Sequence, residues 1–375
     1  MTSKPNASSQ AIHDRLESNI RLRARSQDNH AGNLLEDIDE LRDAGWIAAC
    51  LPEADGGRGW GCIPQATKEA TGALWTLGRA NLAVGRLFEG HMNAVKLVHL
   101  YAKRDQAQRL FEQVRNGALW GVWGANLPAG PVAINSAGDD AQLTNAKQFA
   151  SGLGVVSQAV ITIQVDEPGV GARTQLAIAP VDDKTRQDAE PWQMSGMRAT
   201  RSGHFDFNGL ELAECELLGE PDAYFREPYF EGGVWRYCAV QAGGAEALYE
   251  AYRNHLLTID RDSDHFQRAR IALCAEAVTT ARLWVQHASL TVESTTPDPA
   301  SAIQSLMARD VVEKCCLRII SETERGMGMA AHQIGSDTER MRRDLRLYLC
   351  QAAPDAKRQR IAEYHLNVDI DERGR

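Results

Sequence analysis

The segment GMRATRSGHFDFNGLEL, from Gly196 to Leu212, shows best how the middle of this chain folds. In HFDF, histidine and aspartate alternate with phenylalanine, which is typical of a β-strand with one buried face, and the serine and glycine before it indicate a turn. The segment belongs to a block, Leu119 to Leu218, in which glycine- and proline-rich turns separate short runs such as VVSQAVITIQV and TQLAIAPV. Short apolar runs between turns predict a small antiparallel β domain over this block.

The chain on both sides of this block has helical periodicity. On the N-terminal side, NLLEDIDELRDAGW spaces its apolar residues three and four apart, which predicts a helix with one buried face that ends at Gly45. These apolar residues are Leu34, Leu35, Ile38 and Leu41. On the C-terminal side, from about Pro221, long periodic stretches contain clusters of small residues, which let helices pack closely, and STTPDPAS separates two of the stretches.

The order of helices, strands and helices defines the domain organisation. Doubly wound α/β proteins do not have this order, because they alternate strand and helix along the chain. We therefore predict an N-terminal helical domain over residues 1–118, a β domain over residues 119–218 and a C-terminal helical bundle over residues 219–375.

The composition is that of an ordinary globular protein. Among 375 residues there are 41 Lys and Arg against 50 Asp and Glu, a formal net charge of -9, which argues against a protein that grips nucleic-acid phosphates. No apolar run is as long as a membrane helix, the first ten residues lack the pattern of a secretory signal, and the 8 cysteines include no CxxC pair. We expect a cytoplasmic protein with reduced thiols, no membrane insertion and no structural metal.

Four strings along the chain resemble motifs of one enzyme family and stand in the same order. They are LPEADGGRG at Leu51–Gly59, KQFASG at Lys147–Gly152, the segment Gly196–Leu212 and ERMRRDLR at Glu339–Arg346. On these strings the chain resembles the acyl-CoA dehydrogenase superfamily, which includes related flavin-dependent monooxygenases. The resemblance implies an α+β multidomain fold with an N-terminal helical domain, a central antiparallel β barrel and a C-terminal four-helix bundle. It also implies FAD between barrel and bundle, and a homodimer or homotetramer.

The resemblance places three residues beside the flavin ring. Phe149 and Ser151 stand where the family has an aromatic residue that covers the ring and a hydroxyl that reaches it, and Asn126 stands in a turn at the pyrimidine end. An aromatic face, a hydroxyl and an amide supply the contacts that such a ring takes. The alternatives are a core phenylalanine at Phe149 and ordinary turn residues at Ser151 and Asn126.

Four later residues stand where the family holds the diphosphate and adenosine of FAD. Arg261 matches an arginine that meets the diphosphate, and Gln267 matches a glutamine on the adenine side, although the loop between them is shorter here. Gly326 and Gly328 remain from a glycine-rich turn that approaches the diphosphate through backbone N–H groups. The alternatives are a solvated Arg261 and a helix cap at the two glycines.

The usual base of the dehydrogenases is missing from the position that the resemblance gives it. Counting on from ERMRRDLR, that position falls at Gln351 or Ala352, and neither side chain takes a proton from carbon. A second family position, just before AGG, offers Trp235, Arg236 and Tyr237, with Glu231 about a turn and a half upstream. Glu231 is therefore the candidate for a displaced base, and a solvated acid at the start of a helix is the alternative.

The monooxygenase relatives imply a different set of residues. They use a histidine on the N-terminal helices, and His91 has that place, with a structural histidine as the alternative. The remaining candidates are residues that could contact the substrate. Aromatic and methionine side chains could line a pocket, with core packing as the alternative, and an arginine could bind a CoA phosphate. These candidates are Phe88, Met92, Tyr237 and Arg198.

Three functions remain open at this point. The first is FAD-dependent dehydrogenation of an acyl thioester with a displaced base such as Glu231. The second is a flavin monooxygenase that uses O₂ and takes reduced flavin, FAD or FMN, from a partner reductase. The third is a non-catalytic paralogue that keeps the fold. The partners expected are an acyl-CoA or another small-molecule substrate, with an electron-transfer protein or a flavin reductase.

Overall fold

The computed structural model describes residues 7–135, 141–351 and 353–367. Residues 1–6 and Ala352 lie outside the described residues. Residues 1–6 belong to the N-terminal segment for which the sequence predicted no secretory signal. Within the described ranges, no helix is both long enough and apolar enough to cross a membrane.

The N-terminal part of the chain is helical. Its helices are α1 (Ala7–Gln27), α2 (Leu35–Asp43), α3 (Trp46–Ala49), α4 (Thr67–Ala80), α5 (Leu82–Tyr101) and α6 (Arg104–Arg115). The predicted apolar face of α2 is confirmed for Leu34, Ile38 and Leu41, which are fully buried, whereas Leu35 is 44% exposed. Gly45 follows α2 with a φ of 73°, the left-handed conformation in which many helices end.

The strands lie between Trp120 and Leu218. They are β1 (Trp120–Trp123), β2 (Ala133–Asn135), β3 (Gln142–Thr144), β4 (Ala146–Ala150), β5 (Gln158–Glu167), β6 (Gly171–Pro180), β7 (Gln187–Asp188), β8 (Gly203–Asp206) and β9 (Glu216–Leu218). One sheet has the order β3-β2-β5-β6-β9 with β1 also paired to β5, and the other has the order β4-β8-β7. In the segment that predicted this block, Phe205 and Phe207 are fully buried with ring centroids 4.8 Å apart.

The antiparallel pairing predicted for this block is confirmed for most strand pairs, and two parallel pairs occur beside it. β1 and β2 each pair with β5 in parallel, while β5–β6, β6–β9, β2–β3, β4–β8 and β7–β8 are antiparallel. Parallel pairing follows because the chain crosses over between these strands instead of turning back in a tight hairpin. The described strands form two separate sheets, and a closed barrel is not confirmed.

The C-terminal part returns to helices. They are α7 (Trp235–Thr258), α8 (His265–Val292), α9 (Ser301–Met327), α10 (Asp337–Leu349) and α11 (Pro354–Asn367). The predicted break at Ser294–Ser301 is confirmed between α8 and α9, and α7 packs against α8, α9 and α10. α7 also lies on α4 at very short range: a Cβ on Gly243 would lie 2.2 Å from the carbonyl oxygen of Trp75. The small residues of α7 therefore join the bundle to the N-terminal helices.

Candidate functional site

A cavity of about 700 Å³ lies where α5, α7 and α10 meet the ends of β1 and β4. The segment Tyr224–Val234 and Lys357 on α11 complete its wall. The volume is in the range of sites for small molecules and cofactors, and much of the lining is aromatic or methionine. These apolar lining residues include Trp192, Met194, Met197, Tyr229 and Phe230.

One face of α5 forms a long side of the cavity. Six lining residues fall on this face at helical spacing: Arg86, Glu89, Gly90, Asn93, Lys96 and Leu97. At a rise of about 1.5 Å per residue, the face runs for about 16 Å along the helix. The backbone of Gly152 meets α5 near its start, since a Cβ there would lie 3.1 Å from Leu87 Cδ2. The segment around Ser151 therefore lies at one end of this face, and Lys96 lies at the other.

Hydroxyl groups and an exposed aromatic ring meet at the Ser151 end. The Ser202 hydroxyl donates to Ser151 Oγ at 2.9 Å, and the hydroxyl oxygens of Ser202 and Thr200 are 2.7 Å apart. Phe149 has a φ of 54°, a left-handed backbone that is strained for a residue with a side chain, and its side chain is 49% exposed. An exposed ring held on a strained backbone beside buried hydroxyls is typical of a ligand contact.

Two carboxylates line the cavity among the described residues, and both lie in ion pairs, although Glu231 Oε2 is buried without a hydrogen-bond partner among these residues. Glu89 accepts from Arg86 at 2.6 Å and from Asn93 at 2.7 Å, and burial raises its pKa despite the arginine. Glu231 is 6% exposed and lies 3.1 Å from Arg360 Nε and 3.6 Å from Lys357 Nζ. Neither carboxylate is a solvated acid, so the alternative of a solvated helix-start residue at Glu231 is wrong.

Two buried cations at the far end of the cavity share one carboxylate. Glu293, at the end of α8, accepts from Lys96 Nζ at 2.9 Å and from Arg236 Nη2 at 2.5 Å. Burial alone would raise the pKa of Glu293, but Arg236 and Lys96 outweigh burial and the pKa is lowered. Arg236 also donates to Asn93 Oδ1 at 3.1 Å, and its Nε is buried without a hydrogen-bond partner among the described residues.

Several sequence predictions fall inside the cavity and several do not. Phe149, Ser151, Glu231 and Tyr237 line it together, which brings residues from β4, the segment before α7 and α7 itself to one site. The Gln351 position of the missing base also lines the cavity, whereas Ala352 is not among the described residues. A role for any of these side chains in a reaction stays a prediction.

His91 is not placed to act in the cavity, which corrects its candidacy. The ring is fully buried outside the lining, with Nε2 3.1 Å from the Ile47 carbonyl oxygen and Nδ1 accepting from the Trp120 backbone N–H at 3.1 Å. Burial lowers its pKa to about 4, so the ring is neutral and joins three segments of the fold. The structural alternative for His91 is therefore the one that the structure supports.

Phe88 and Met92 are core residues, which corrects their assignment to a substrate pocket. Both are fully buried and neither lines the cavity. The Phe88 ring packs against Trp46 and Trp60 at centroid distances of 6.0 and 6.2 Å. They occupy the face of α5 that points away from the cavity, because they are out of step with the lining residues on a helix of 3.6 residues per turn.

Asn126 and Arg198 also lie outside the lining, and each has another partner. The Asn126 amide oxygen accepts from Lys147 Nζ at 2.5 Å, an interaction on the β sheets. Arg198 lies 4.0 Å from Asp28, which pairs with Arg343 at 2.5 Å. Neither residue therefore lines the cavity, although each is adjacent in the chain to a residue that does, Ala125 and Met197.

The four residues assigned to the diphosphate and adenosine form a separate group away from the cavity. The Gln267 amide accepts a hydrogen bond from the Tyr252 hydroxyl and donates one to the Gly326 carbonyl oxygen at 3.2 Å. Arg261 is exposed and forms an ion pair with Asp264 at 2.6 Å. Gly328 is the C-cap of α9, with a positive φ of 60° that favours glycine. The Arg261 and Gln267 side chains both have partners within the chain.

Sequence reasoning missed the charged side of the cavity. The missed residues are Arg86, Glu89, Lys96, Arg236 and Ser202. A signal was present in α5, where four polar or charged side chains recur at helical spacing in an otherwise apolar helix. Ser202 and Arg236 had no comparable signal, because their positions depend on tertiary contacts.

The fold around this cavity is shared with solved structures of an acyl-CoA dehydrogenase and of a flavin-dependent monooxygenase, the fold that the sequence predicted. The glutaryl-coenzyme A dehydrogenase–glutaryl-CoA complex superposes with a TM-score of 0.78 at 15% identity, over 98% of both chains. TdsC from Paenibacillus sp. A11-2, in a complex with FMN and indole, superposes with a TM-score of 0.81 at 20% identity, over 96% of this chain and 98% of that one. At these identities the likeness shows the fold.

Sequence comparison finds similarity to flavin-dependent monooxygenases. The dibenzothiophene monooxygenase of Mycolicibacterium goodii is 25% identical over 207 residues, which are 52% of this chain and 48% of the relative. The match spans about half the length of this relative and of the dibenzothiophene monooxygenase of Rhodococcus qingshengii. No family model matches the chain. These relatives and structures are all named as enzymes, in agreement with the predicted oxidoreductase class.

Proposed function

We propose that this chain is a flavin-dependent monooxygenase that uses reduced FMN and O₂ to oxygenate a small molecule. The proposal reverses the order of the first two hypotheses from the sequence. The observation that carries it is the state of the two cavity carboxylates: Glu89 is bound by Arg86 and Asn93, and Glu231 is paired with Arg360 and Lys357. A dehydrogenase needs a carboxylate free to take a proton from carbon, whereas oxygen insertion does not begin with that step.

The chain's own residues fit a flavin ring better than they fit an adenosine diphosphate. Phe149 offers an exposed ring face and Ser151 a hydroxyl at one end of a cavity large enough for a cofactor. Tyr252 fills the space beside Gly326, because a Cβ on that glycine would lie 2.2 Å from the Tyr252 hydroxyl. The same hydroxyl donates a hydrogen bond to the Gln267 amide oxygen. These contacts support FMN over FAD.

Reduced flavin supplies the two electrons with which one atom of O₂ enters the substrate while the other leaves as water. Beside the ring, the Ser202 hydroxyl donates a hydrogen bond to Ser151 Oγ. The Ser151 hydroxyl makes only a long contact of 3.4 Å to the Phe149 carbonyl oxygen, so its proton can be donated to a ligand. Trp192 packs edge-on against Phe149, with ring centroids 6.4 Å apart. Trp192 therefore covers one edge of the half-exposed Phe149 ring beside Ser151.

The test is oxygen transfer under supplied reduced flavin. Purified protein is mixed with FMN, a flavin reductase as the partner, and a panel of indole, dibenzothiophene and aromatic acids under oxygen-18 gas. We expect a product that carries one oxygen-18 atom and that forms only when reduced FMN is supplied.

A dehydrogenase gives the opposite pattern. If butyryl-CoA or another acyl-CoA bleaches the bound flavin without oxygen and without the reductase, the chain removes hydrogen from a thioester and the proposal is wrong. Glu231→Gln serves as the control, because it blocks bleaching by a displaced base and leaves oxygen transfer intact.

A further inference from the structure

We propose that the cavity binds a substrate with an acid group, a carboxylate or sulfonate, which Lys96 and Arg236 hold at the end away from Ser151. The inference names the substrate class of the proposed function and rests on it for the chemistry at the other end. The predicted binding of the acid does not depend on the proposed reaction, because Lys96 and Arg236 bind the acid group without flavin or oxygen.

The geometry of α5 separates the two ends. Leu87 contacts Gly152 beside Ser151, and Lys96 follows nine residues later on the same helix. At a rise of about 1.5 Å per residue, the separation is about 14 Å along the helix axis. A molecule that spans this distance presents one end to the hydroxyl groups and the other to the cations.

The far end carries an unbalanced positive charge. Lys96 and Arg236 are 8% and 2% exposed, and the carboxylate between them is the single one of Glu293. The bond to Glu293 accounts for one of the three donors of Lys96, whose Nζ also lies 5.3 Å from the ring centre of the lining residue Tyr229. Donors that remain on buried cations are what an acid group accepts from.

The other charged side chains that the structure describes around the cavity form ion pairs with one another, and none of them places a second carboxylate beside Lys96 and Arg236. Arg86 pairs with Glu89, whose charge also reaches Arg236. Across the cavity, Lys357 and Arg360 face Glu231 and Glu227. Among the described residues, these ion pairs set the five cations Arg86, Lys96, Arg236, Lys357 and Arg360 against the four carboxylates of Glu89, Glu227, Glu231 and Glu293, of which Arg360, Glu227 and Glu293 lie outside the lining. The surplus is one positive charge, in a chain whose net charge is -9.

Holding this surplus charge out of water costs stability unless a ligand compensates for it. A buried cation without a full set of partners loses its hydration and recovers only part of that loss through a shared carboxylate. An organic acid supplies the second negative charge, while Tyr229, Phe230 and Val234 offer apolar walls to its body. Functional sites are where such unbalanced buried charges are retained.

The test compares an acid with its uncharged amide. We expect 4-phenylbutyrate to bind the wild-type protein at least tenfold more tightly than 4-phenylbutyramide in isothermal titration calorimetry at pH 7.5, without flavin. Lys96→Met is expected to reduce this preference to within about twofold, and Lys96→Arg to restore it. Lys68→Met, which removes an exposed lysine on α4, is the charge-matched control and keeps the wild-type preference.

Two results overturn the proposal. One is equal binding of acid and amide to the wild-type protein, which needs no variant and so does not depend on how well Lys96→Met folds. The other is a loss of FMN binding, with riboflavin binding unchanged, in Lys96→Met, because the two cations then hold the flavin phosphate. Both readouts are separate from oxygen transfer, so the class of substrate and the proposed reaction fail independently.

Discussion

At the scale of single residues, Ser151 has the clearest chemical signature. It is 7% exposed, lines the cavity and accepts a hydrogen bond from Ser202, which leaves its own proton available. Trp123 Nε1–H donates to the Ser151 carbonyl oxygen at 3.2 Å and so fixes its backbone. A serine held by two neighbours keeps its hydroxyl in one place, which lowers the entropic cost of binding a ligand.

Replacing Ser151 with alanine is expected to weaken FMN binding by about threefold to tenfold, the worth of one hydrogen bond to a ligand. The measurement is a fluorescence titration of FMN with purified Ser151→Ala. Ser157→Ala is the matched control, because the Ser157 hydroxyl contacts the Leu119 carbonyl oxygen outside the cavity lining. Identical FMN affinity in Ser151→Ala and wild type would show that this hydroxyl does not meet the flavin.

His91 shows why residue type alone misleads. A histidine on an apolar helix fits a role in catalysis or in the core, and only its partners tell the two apart. Both ring nitrogens are used by backbone groups 44 and 29 residues away in the chain. No local pattern around Phe88, His91 or Met92 reports such partners, so the sequence could not remove these three from the site.

At the scale of elements, α5 and α7 do most to define the site. α5 presents a polar face to the cavity and an apolar face to the core, and α7 supplies Arg236 and Tyr237 from its first turn. The position of α7 depends on its contact with α4, where Gly243 lies against the Trp75 carbonyl oxygen and Gly78 against that of Val240. Two glycines on facing helices allow an approach that any larger residue prevents.

Gly243→Ala is expected to destabilise the protein by about 1–3 kcal/mol or more, because the new methyl group would lie 2.2 Å from a backbone atom that cannot rotate away. Urea unfolding measures the change. Gly72→Ala on α4 is the matched control: its Cβ has nothing within 4 Å, so the substitution is expected to stabilise by about 0.5–1 kcal/mol through helix propensity. Equal effects of the two substitutions would contradict the close packing of α4 and α7.

At the scale of the whole molecule, the free energy of unfolding is expected to decrease as the pH is lowered, over a pH range that the pKa of His91 defines. Burial lowers the pKa of His91 from 6.5 to about 4, so the folded protein keeps the ring neutral while the unfolded chain takes up a proton. The contribution is fully present above pH 6.5 and is lost as the pH falls toward 4, with a loss of about 2 kcal/mol by pH 5.

The measurement is the free energy of unfolding at pH 7.5 and at pH 5 for wild type and His91→Gln. We expect the difference between the two pH values to shrink by about 2 kcal/mol in the variant, whatever its stability at pH 7.5. His265→Gln, which removes an exposed histidine at the start of α8, is the control and keeps the wild-type difference. An unchanged difference in His91→Gln would mean that His91 is protonated in the folded protein.

The sequence by itself determined the order of helices and strands, most of the apolar face of α2, its end at Gly45, the break after α8 and the fold shared with the solved structures. These follow from local spacing, turn residues and short motifs, which act within a few residues of each other. It also placed Phe149 and Ser151 at one site. Only the tertiary structure decided the charge of the cavity. Lys96 and Glu293 are 197 residues apart, and Arg236 and Glu293 are 57 apart. Burial and ion pairing arise from such distant contacts, which no local pattern encodes.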